Sequence, residues 1–280
     1  MPDESSRRLF DRALPRAFER PLHQVAEGAR TVLSWRRFIA MCLVYCPTSL
    51  AARALIGPAL PQAIMRKWCE AIVRDVGIDI TAEGLHKIAG RPSVIVANHS
   101  SLLDIPVLGS QLEIDYRWVA KKQLFDVPLV GWHLRACGHI AVDRGKGGNL
   151  GRMQQQIEQV LGDGGSVVFF PEGTRSSDGA LQRFRAGAFI TAVKAGAPVL
   201  PVVLDGVEQL LVKGSLKFPR GSNKRVRLRV LDRIEVPEGG AGEADVRARA
   251  ERLRDMTRAR MVEGLDALRG GAGRAEQPTL

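Results

Sequence analysis

The sequence predicts an α/β fold with a largely parallel central sheet flanked by helices, preceded by an N-terminal membrane-associated helical segment. From about residue 76 onward, short β-branched apolar runs alternate with amphipathic segments, which is typical of strands joined by helices. Two apolar stretches lie upstream between basic residues. The chain of 280 residues is 45% apolar, enough to bury the core of one large domain. We predict three parts: a membrane-anchoring segment over 1–75, the α/β domain over 76–237, and a linker, basic helix and disordered tail over 238–280.

The strands follow from runs rich in valine and isoleucine, and the helices from apolar residues spaced three or four apart. Strands are expected at 78–81, 93–97, 117–120, 139–142, 166–170, 199–204 and 226–231. Helices are expected at 101–111, 122–136 with an interruption near Pro128, 149–161 and 187–195.

The N-terminal apolar stretches are short and contain proline. The first, 38–52, has 15 uncharged residues broken by Pro47, and the second, 54–65, holds Pro58 and Pro61. A helix that crosses a bilayer needs about 20 apolar residues. The pattern favours an interfacial or re-entrant anchor, and flanking arginines with Trp35 support that reading. The alternative is a buried helical pair that covers the α/β domain.

The C-terminal part begins with a glycine-rich linker after Pro237 and continues as a charged segment over 243–269. A thin apolar stripe predicts a helix that docks on the domain or on lipid. The stripe comprises Val246, Leu253, Met256, Leu265 and Leu268. The last ten residues are expected to be disordered.

The chain is strongly basic, with 41 Lys and Arg against 30 Asp and Glu and a net charge of +11. This charge indicates an anionic partner: a nucleic acid, a phosphorylated ligand or a bilayer surface. Aromatic residues make up only 5% and are not interleaved with the basic ones, so stacking platforms for single-stranded nucleic acid are not evident.

Four cysteines are present, and none of them forms a C-x-x-C pair or a metal-ligand spacing. They are expected to be small buried residues in a reducing compartment. They are Cys42, Cys46, Cys69 and Cys137.

The first candidate site is the segment after the apolar run 93–97, where a strand ends and a helix begins. His99 and Asp104 are five residues apart, so His99 must precede the first regular helical turn if the two side chains meet. Ser100 or Ser101 would cap the helix, with Asp104 in its first turn. The carboxylate would then fix the imidazole tautomer and leave the other ring nitrogen as a general base. The alternative is a solvated histidine at a helix N-terminus.

The second candidate site follows the predicted strand 166–170. Gly173 permits a tight turn, Thr174 supplies a hydroxyl, and Arg175 offers a planar fork for phosphate. Glu172 would orient the arginine or accept from a ligand hydroxyl, or the pair would be purely structural. Arg144, at the end of the strand 139–142, is expected at the same sheet edge, where ligands bind in parallel sheets.

The sequence has no G-x-S-x-G elbow, Walker loop or dinucleotide fingerprint, which argues against covalent serine chemistry and nucleotide hydrolysis. Four motifs in order resemble those of the glycerolipid acyltransferase family, the lysophosphatidate acyltransferases. They are NHSSLLD at 98–104, GHIAVDR at 138–144, FPEGTRS at 170–176 and APVLPV at 197–202. Ala141 departs from the family pattern, which has a bulky aromatic residue there.

This resemblance implies transfer of an acyl chain from an acyl-CoA or acyl-carrier-protein thioester to the free hydroxyl of lysophosphatidate, giving phosphatidate. His99 would be the base and Asp104 its orienting group, with no metal or cofactor. The glycerol phosphate would be held by Arg144, Glu172, Gly173, Thr174 and Arg175.

The expected partners are the lysophospholipid, the thioester donor and an anionic membrane surface, with attachment to the cytoplasmic face. Three alternatives stay open at this point: an acyltransferase for another lyso-lipid, a non-catalytic membrane lipid-binding protein, and a nucleic-acid-binding protein. The last would show strongly salt-dependent affinity, but no recognisable module supports it.

Overall fold

A computed structural model describes residues 31–57, 59–143, 150–211 and 224–275 of the chain. The predictions for residues 1–30, Arg144 and the last five residues lie outside these ranges.

The helices and strands alternate along the chain as the sequence predicts. In chain order they are α1 (Thr31–Leu55), α2 (Ala59–Val76), β1 (Asp79–Glu83), β2 (Val94–Ala97), α3 (Asp104–Gln111), β3 (Tyr116–Lys121), α4 (Lys122–Phe125), α5 (Val130–Ala136), β4 (Ile140–Val142), α6 (Leu150–Gly162), β5 (Ser166–Phe169), α7 (Gly187–Ala195), β6 (Val199–Asp205), β7 (Arg225–Val230) and α8 (Glu243–Ala275). All seven predicted strands are present, with bounds within two residues of those expected.

The strands form one seven-stranded sheet in the order β1-β7-β6-β2-β5-β3-β4. Neighbouring strands are parallel except β6 and β7, which are antiparallel. Strands β2, β5 and β6 lie at the centre and are buried along their whole length, as their unbroken apolar sequences predict. The largely parallel sheet flanked by helices is therefore confirmed.

The sheet separates two apolar cores. One core lies between the sheet and helices α2 and α3, with Ile95, Leu108 and Leu200 fully buried in it. The other lies beneath α6, α7 and α8 and is built around Ile157, Phe189 and Leu253. The side chains of β2 alternate between the two cores, because successive residues of a strand point to opposite faces.

Helix α1 corrects the helix break that the sequence predicts at Pro47. It runs unbroken for 25 residues through Pro47, where the sequence predicted a break, and is long and apolar enough to cross a bilayer by length and composition. Hydroxyl groups beyond the proline add hydrogen bonds to carbonyls of the same helix, from Thr48 Oγ1 to the oxygen of Val44 at 2.6 Å and from Ser49 Oγ to that of Cys46 at 2.8 Å. Only 22% of the most apolar window of α1 is buried in the protein.

Helix α2 behaves differently from α1, although both were predicted as one anchor. It buries Met65, Trp68, Cys69 and Ile72 in the first core and packs on α3. The alternative of a helix that covers the α/β domain therefore describes α2, whereas the outer face of α1 exposes large apolar side chains such as Leu43 and Val44.

Helix α8 docks on the domain and closes the second core. Val246, Leu253, Leu265 and Leu268 of the predicted stripe are buried. Met256 is 50% exposed, and Met261 takes a buried position instead, because the true stripe follows the 3.6-residue period of the helix.

All four cysteines are free thiols and buried, as predicted. Cys137 Sγ lies 3.7 Å from Nδ1 of His133, a contact that the sequence did not reveal. Burial raises the pKa of Cys137 to about 12, so the thiol stays protonated and is not a nucleophile at neutral pH.

A buried polar contact fastens α1 to α5. Ser49 Oγ lies 2.6 Å from Nδ1 of His133, and Nε2 of the same ring lies 2.9 Å from Sδ of Met65 in α2. Burial lowers the pKa of His133 to about 4. The neutral imidazole thus joins three helices without burying a charge.

Acid is expected to loosen this junction. An unfolded histidine takes up its proton near pH 6.5, whereas His133 in the folded chain resists protonation down to about pH 4. The stabilisation is therefore complete above pH 6.5 and lost as the pH falls toward 4, by about 3 kcal/mol at that point. Denaturant unfolding of the full chain in detergent at both pH values measures this change.

The matched control is the double variant Ser49→Ala/His133→Phe, which keeps the junction apolar and removes the titrating group. We expect its free energy of unfolding to depend less on pH between 4 and 6.5 than that of the wild type. Equal pH dependence in the two proteins would contradict the role of His133.

Candidate active site

The candidate site lies where the central strands β2 and β5 end. These strands are neighbours and parallel, with Val96 paired to Phe169, so the segments that follow them emerge side by side. His99 follows β2, and Glu172 to Arg175 follow β5. The two predicted constellations therefore meet at one sheet edge.

His99 and Asp104 form the predicted pair. Nδ1 of His99 lies 2.7 Å from Oδ2 of Asp104, whose side chain is fully buried, while that of His99 is 16% exposed. Because Nδ1 is held by the carboxylate, Nε2 is the ring nitrogen with which His99 can accept a proton.

The surroundings of Asp104 correct the predicted helix cap. Helix α3 begins at Asp104 itself, with Leu103 as its N-cap residue, and the hydroxyl of Ser101 accepts only the N–H of Leu103, at 3.4 Å. Instead, Oδ2 of Asp104 accepts the backbone N–H groups of Ser100 at 2.7 Å and Ser101 at 2.8 Å. These hydrogen bonds hold residues 99–103 in a turn around the carboxylate. The turn brings His99 and Asp104 into contact although they are five residues apart.

Glu172 holds the backbone of His99 in place. Its Oε1 accepts the backbone N–H of His99 at 2.8 Å, and its Oε2 accepts that of Gln182 at 3.1 Å. The side chain is buried, and this burial raises the pKa of Glu172 above its ordinary value. Both carboxylate oxygens are engaged by the backbone, so the structure favours a positioning role over the predicted contact with the glycerol phosphate.

The loop after β5 holds His99 from the other side as well. Ser176 donates its backbone N–H to the carbonyl oxygen of His99 at 2.7 Å. Gly173 adopts a positive φ of 72° and bonds back to the oxygen of Phe170 at 3.1 Å, the tight turn that the sequence predicted. Both backbone polar groups of His99 therefore bond to this loop.

Two aromatic rings position the imidazole, and sequence reasoning assigned neither of them a role. The ring of Phe170 stacks on that of His99 with centroids 4.2 Å apart and planes at 15°. Trp118 of β3 stacks in turn on Phe170, with ring centroids 5.5 Å apart and planes at 18°. The sequence contains one signal for this contact, the aromatic residue Phe170 directly before Pro171. Phe170 follows β5, and the end of β5 lies next to the end of β2, from which His99 emerges.

Asn98 ties the start of this loop to strand β6. Its Nδ2 donates to the carbonyl oxygen of Leu204 and its Oδ1 accepts the N–H of Leu204, both at 2.8 Å. The side chain is buried, so Asn98 is structural.

His99 opens onto a cavity of about 490 Å³. Gly173, Thr174 and Arg175 lie at the same cavity as His99, and the remaining lining is mainly apolar. Helices α1 and α2 provide much of that lining, with Trp35, Phe38, Met41, Met65 and Trp68. The cavity thus joins a polar end at the sheet edge to an apolar interior beneath the N-terminal helices.

The remaining site residues fall into two groups. Asp104 and Glu172 lie behind the cavity wall and act through His99, as their hydrogen bonds show. Arg144 lies outside the described residues, so its predicted role stays a prediction. Arg144 follows β4 in sequence. Because strand β3 lies between β4 and β5 in the sheet, the end of β4 is about 10 Å from the end of β5, where Arg175 follows.

Within the residues that the structure describes, no group of three or more His, Cys, Asp or Glu side chains is placed to hold a metal ion.

Glu172→Gln tests the positioning role. The amide can accept one N–H, but its NH₂ group would face the second backbone donor, so we expect a loss of about 1–3 kcal/mol in stability. Turnover should fall while the KM for the acceptor stays nearly constant, because His99 is displaced and the acceptor site is not. A large rise in KM with unchanged turnover would instead support direct contact with the acceptor.

Comparison with known proteins agrees with this site. A family model described as Acyltransferase matches residues 79–205, which contain both candidate constellations. The chain is 32% identical over 203 residues to the 1-acyl-sn-glycerol-3-phosphate acyltransferase of Pseudomonas aeruginosa, covering 69% of this chain and 77% of that protein. The fold and the site thus define an acyltransferase-type α/β protein.

The chain belongs to the 1-acyl-sn-glycerol-3-phosphate acyltransferase family. It is also similar to the crystal structure of the 1-acyl-sn-glycerophosphate acyltransferase PlsC from Thermotoga maritima, with a TM-score of 0.66 and 26% identity over 84% of this chain and 97% of that one. The chloroplastic relative of Arabidopsis thaliana is 36% identical over 149 residues, 52% of this chain. The chain spans about two fifths of the length of that relative, 42%.

Proposed function

We propose that this protein transfers an acyl chain from a thioester to the free hydroxyl of lysophosphatidate, giving phosphatidate. The observation that carries the proposal is the His99–Asp104 pair, 2.7 Å apart, opening onto a largely apolar cavity with Arg175 at its polar end. The names of the relatives support lysophosphatidate as the acceptor.

The reaction needs one proton-transfer group. An alcohol attacks a thioester slowly until a base takes its proton. Nε2 of His99 would accept the proton of the acceptor hydroxyl as its oxygen bonds to the thioester carbonyl carbon. The C–S bond then breaks, and the imidazolium returns the proton to the departing thiolate. Asp104 stabilises the imidazolium and holds Nδ1–H in place.

The acceptor phosphate would bind at the polar end of the cavity. Arg175 is half-buried there, next to the turn at Gly173 and the hydroxyl of Thr174. A guanidinium group offers parallel N–H donors that match phosphate oxygens. Binding of the headgroup at this position would bring the glycerol hydroxyl toward His99.

The acyl chain would occupy the apolar part of the cavity, between α1, α2 and the sheet. The volume of about 490 Å³ lies within the range of small-molecule pockets. Removal of an acyl chain from water into this lining would contribute about 0.8 kcal/mol per buried methylene. We propose that the chain works at the cytoplasmic face of a membrane, with acyl-CoA or acyl-carrier protein as donor.

The experiment is a panel assay on the purified full chain, with release of thiol from the donor as readout. Lysophosphatidate should be acylated faster than lysophosphatidylcholine, lysophosphatidylethanolamine and lyso-aminolipids with either donor. Faster acylation of another lyso-lipid would contradict the assigned acceptor, and absence of transfer to every acceptor would contradict the enzymatic proposal.

Arg175→Lys separates binding of the headgroup from the chemical step. Lysine keeps the charge but loses the fork, so we expect the KM for lysophosphatidate to rise about tenfold, equivalent to about 1.4 kcal/mol. Turnover at saturating acceptor should change little. Arg185→Lys, a change in the same loop outside the cavity lining, is the matched control. An unchanged KM in the Arg175 variant would contradict the phosphate role.

A further inference from the structure

The segment from Lys121 to Ala136 exposes apolar side chains at the edge of the cavity, and the proposed reaction gives their outer faces no role. It comprises α4, a tight turn and α5, and we call it the rim hairpin. Val127 is 43% exposed and Trp132 is 48% exposed, and Leu124 is also exposed. An exposed cluster of this kind marks a contact with an apolar partner.

We propose that the rim hairpin is a second membrane-docking element, which inserts Leu124, Val127 and Trp132 into the same bilayer that receives the outer face of α1. This inference rests on the proposed action on a membrane lipid. It adds a membrane contact outside the N-terminal segment 1–75, for which the sequence predicts an anchor.

The backbone of the hairpin is built to point these side chains outward. Leu129 has a positive φ of 64°, and Val130 N–H bonds to the oxygen of Pro128 at 2.8 Å, which makes a tight γ-turn. A Cβ atom at Gly131 would overlap the carbonyl oxygen of Phe125, so α4 and α5 approach as closely as glycine allows. Leu129 packs inward on the first core, Pro128 before it is exposed, and Val130 after it is half-buried at the cavity.

The hairpin lies next to α1. The Ser49–His133 hydrogen bond joins the two elements, and both line the same cavity. Each element also exposes an apolar side chain next in sequence to the bonded pair, Leu50 on α1 and Trp132 on α5. A surface beside a helix long enough to enter a bilayer points to the bilayer as the common partner.

The charges of the hairpin agree with an anionic lipid surface. Lys121, Lys122 and Arg135 flank the apolar residues, and two carboxylates lie beside them, with Asp143 3.6 Å from Lys122 and Asp126 3.8 Å from Arg135. These are long ion pairs between exposed side chains and are therefore weak, so the cations can exchange them for lipid headgroups. Arg135 lies on the same face of α5 as Trp132, three residues away, where its side chain can reach headgroups while the indole enters the interface. Tryptophan is enriched at this level of membranes.

The position of the hairpin gives the contact a consequence for substrate entry. Leu124 and Val130 line the cavity from the hairpin side, and Trp35 and Phe38 line it from α1. With both rims in the bilayer, the cavity would open toward lipid, so that lysophosphatidate reaches His99 without passing through water.

Single-cysteine labelling tests the insertion. The four native cysteines are buried, so an NBD fluorophore should attach under native conditions to Val127→Cys, Trp132→Cys, Leu43→Cys and the control Met256→Cys. Met256 is 50% exposed on α8, as accessible as Trp132. The labelled full chains are mixed with vesicles of phosphatidylcholine and phosphatidylglycerol containing brominated lipids.

We expect brominated lipids to quench the labels at positions 127, 132 and 43 by about half or more, and that at 256 by about a tenth or less. Quenching at 43 alone would show that α1 anchors the chain by itself and overturn the proposal. A blue shift at 127 and 132 without quenching would indicate a protein partner and overturn it too. The label reports insertion whether or not acyl transfer occurs, so failure of the proposed function would leave this result intact.

A second measurement concerns activity. Trp132→Glu should lower turnover of vesicle-embedded lysophosphatidate by about tenfold or more, since a charge resists insertion at this depth. Turnover of a water-soluble short-chain lysophosphatidate should be unchanged. Met256→Glu should affect neither substrate, and equal behaviour of the two variants on vesicles would overturn the proposal.

Discussion

Replacement of His99 by alanine is expected to lower the rate of acyl transfer by about two to four orders of magnitude, the usual contribution of a positioned general base. The fold should survive, because the backbone N–H of residue 99 can still donate to Glu172 and its carbonyl can still accept from Ser176. The measurement is thiol release from the donor at saturating lysophosphatidate, beside a thermal unfolding curve.

His86→Ala is the matched control for His99→Ala. His86 is exposed and belongs to a short 3₁₀ turn after β1, so its loss should leave activity within about twofold of the wild type. More than a few per cent of wild-type activity in a folded His99→Ala protein would contradict the assignment of His99 as the base.

Asp104→Asn is expected to have the second-largest effect, about a hundredfold or more in turnover. An asparagine oxygen in the place of Oδ2 can accept from His99 Nδ1–H and from the backbone N–H groups of Ser100 and Ser101, but it carries no charge to stabilise the imidazolium. If the amide turns the other way, it donates to Nδ1 and forces the proton onto Nε2. His99 could then no longer act as a base at the nitrogen that faces the cavity.

The change at Asp104 should also reduce stability by about 1–3 kcal/mol, since buried backbone donors lose part of their acceptor. Asp163→Asn, at an exposed position after α6, is the control and should change neither activity nor stability. Turnover within tenfold of the wild type for a folded Asp104→Asn protein would show that the carboxylate does not direct the imidazole.

The sheet was predictable from sequence because its central strands are buried on both faces. Val94 to Ala97 and Val199 to Leu204 are continuous apolar runs, which suit strands at the centre of a sheet that is covered on both faces. The His99–Asp104 contact was predictable as well, since a five-residue spacing admits one arrangement in which the side chains meet.

Other features depend on tertiary contacts that leave no local pattern. Helix α1 continues through Pro47, although local propensity predicts a break. The start of α3 at Asp104 depends on a carboxylate that accepts from the preceding turn, and serine preference for helix caps indicated a different start. The stacking of Phe170 on His99 arises from the pairing of β2 with β5, which are separated by about 70 residues of sequence.

The role of Glu172 also depends on tertiary contacts that the sequence does not show. From sequence, a glutamate beside Gly173 and Arg175 is a reasonable ligand for a substrate hydroxyl. In the structure its two oxygens are taken by the backbone N–H groups of His99 and Gln182. The partners of a buried carboxylate depend on which loops approach each other in the fold. The spacing of residues within one loop carries no information about that approach.

The paired hydrogen bonds of Asn98 have a further implication for motion. A primary amide offers a donor and an acceptor in one plane, as a peptide group does, so this side chain imitates one more rung between β2 and β6. His99 is the next residue after Asn98. Its backbone is therefore expected to be as rigid as the central strands and less mobile than a surface loop. The amide proton of Leu204 should accordingly exchange with deuterated solvent only through large-scale opening, and the orientation of the His99 ring should persist on the same timescale.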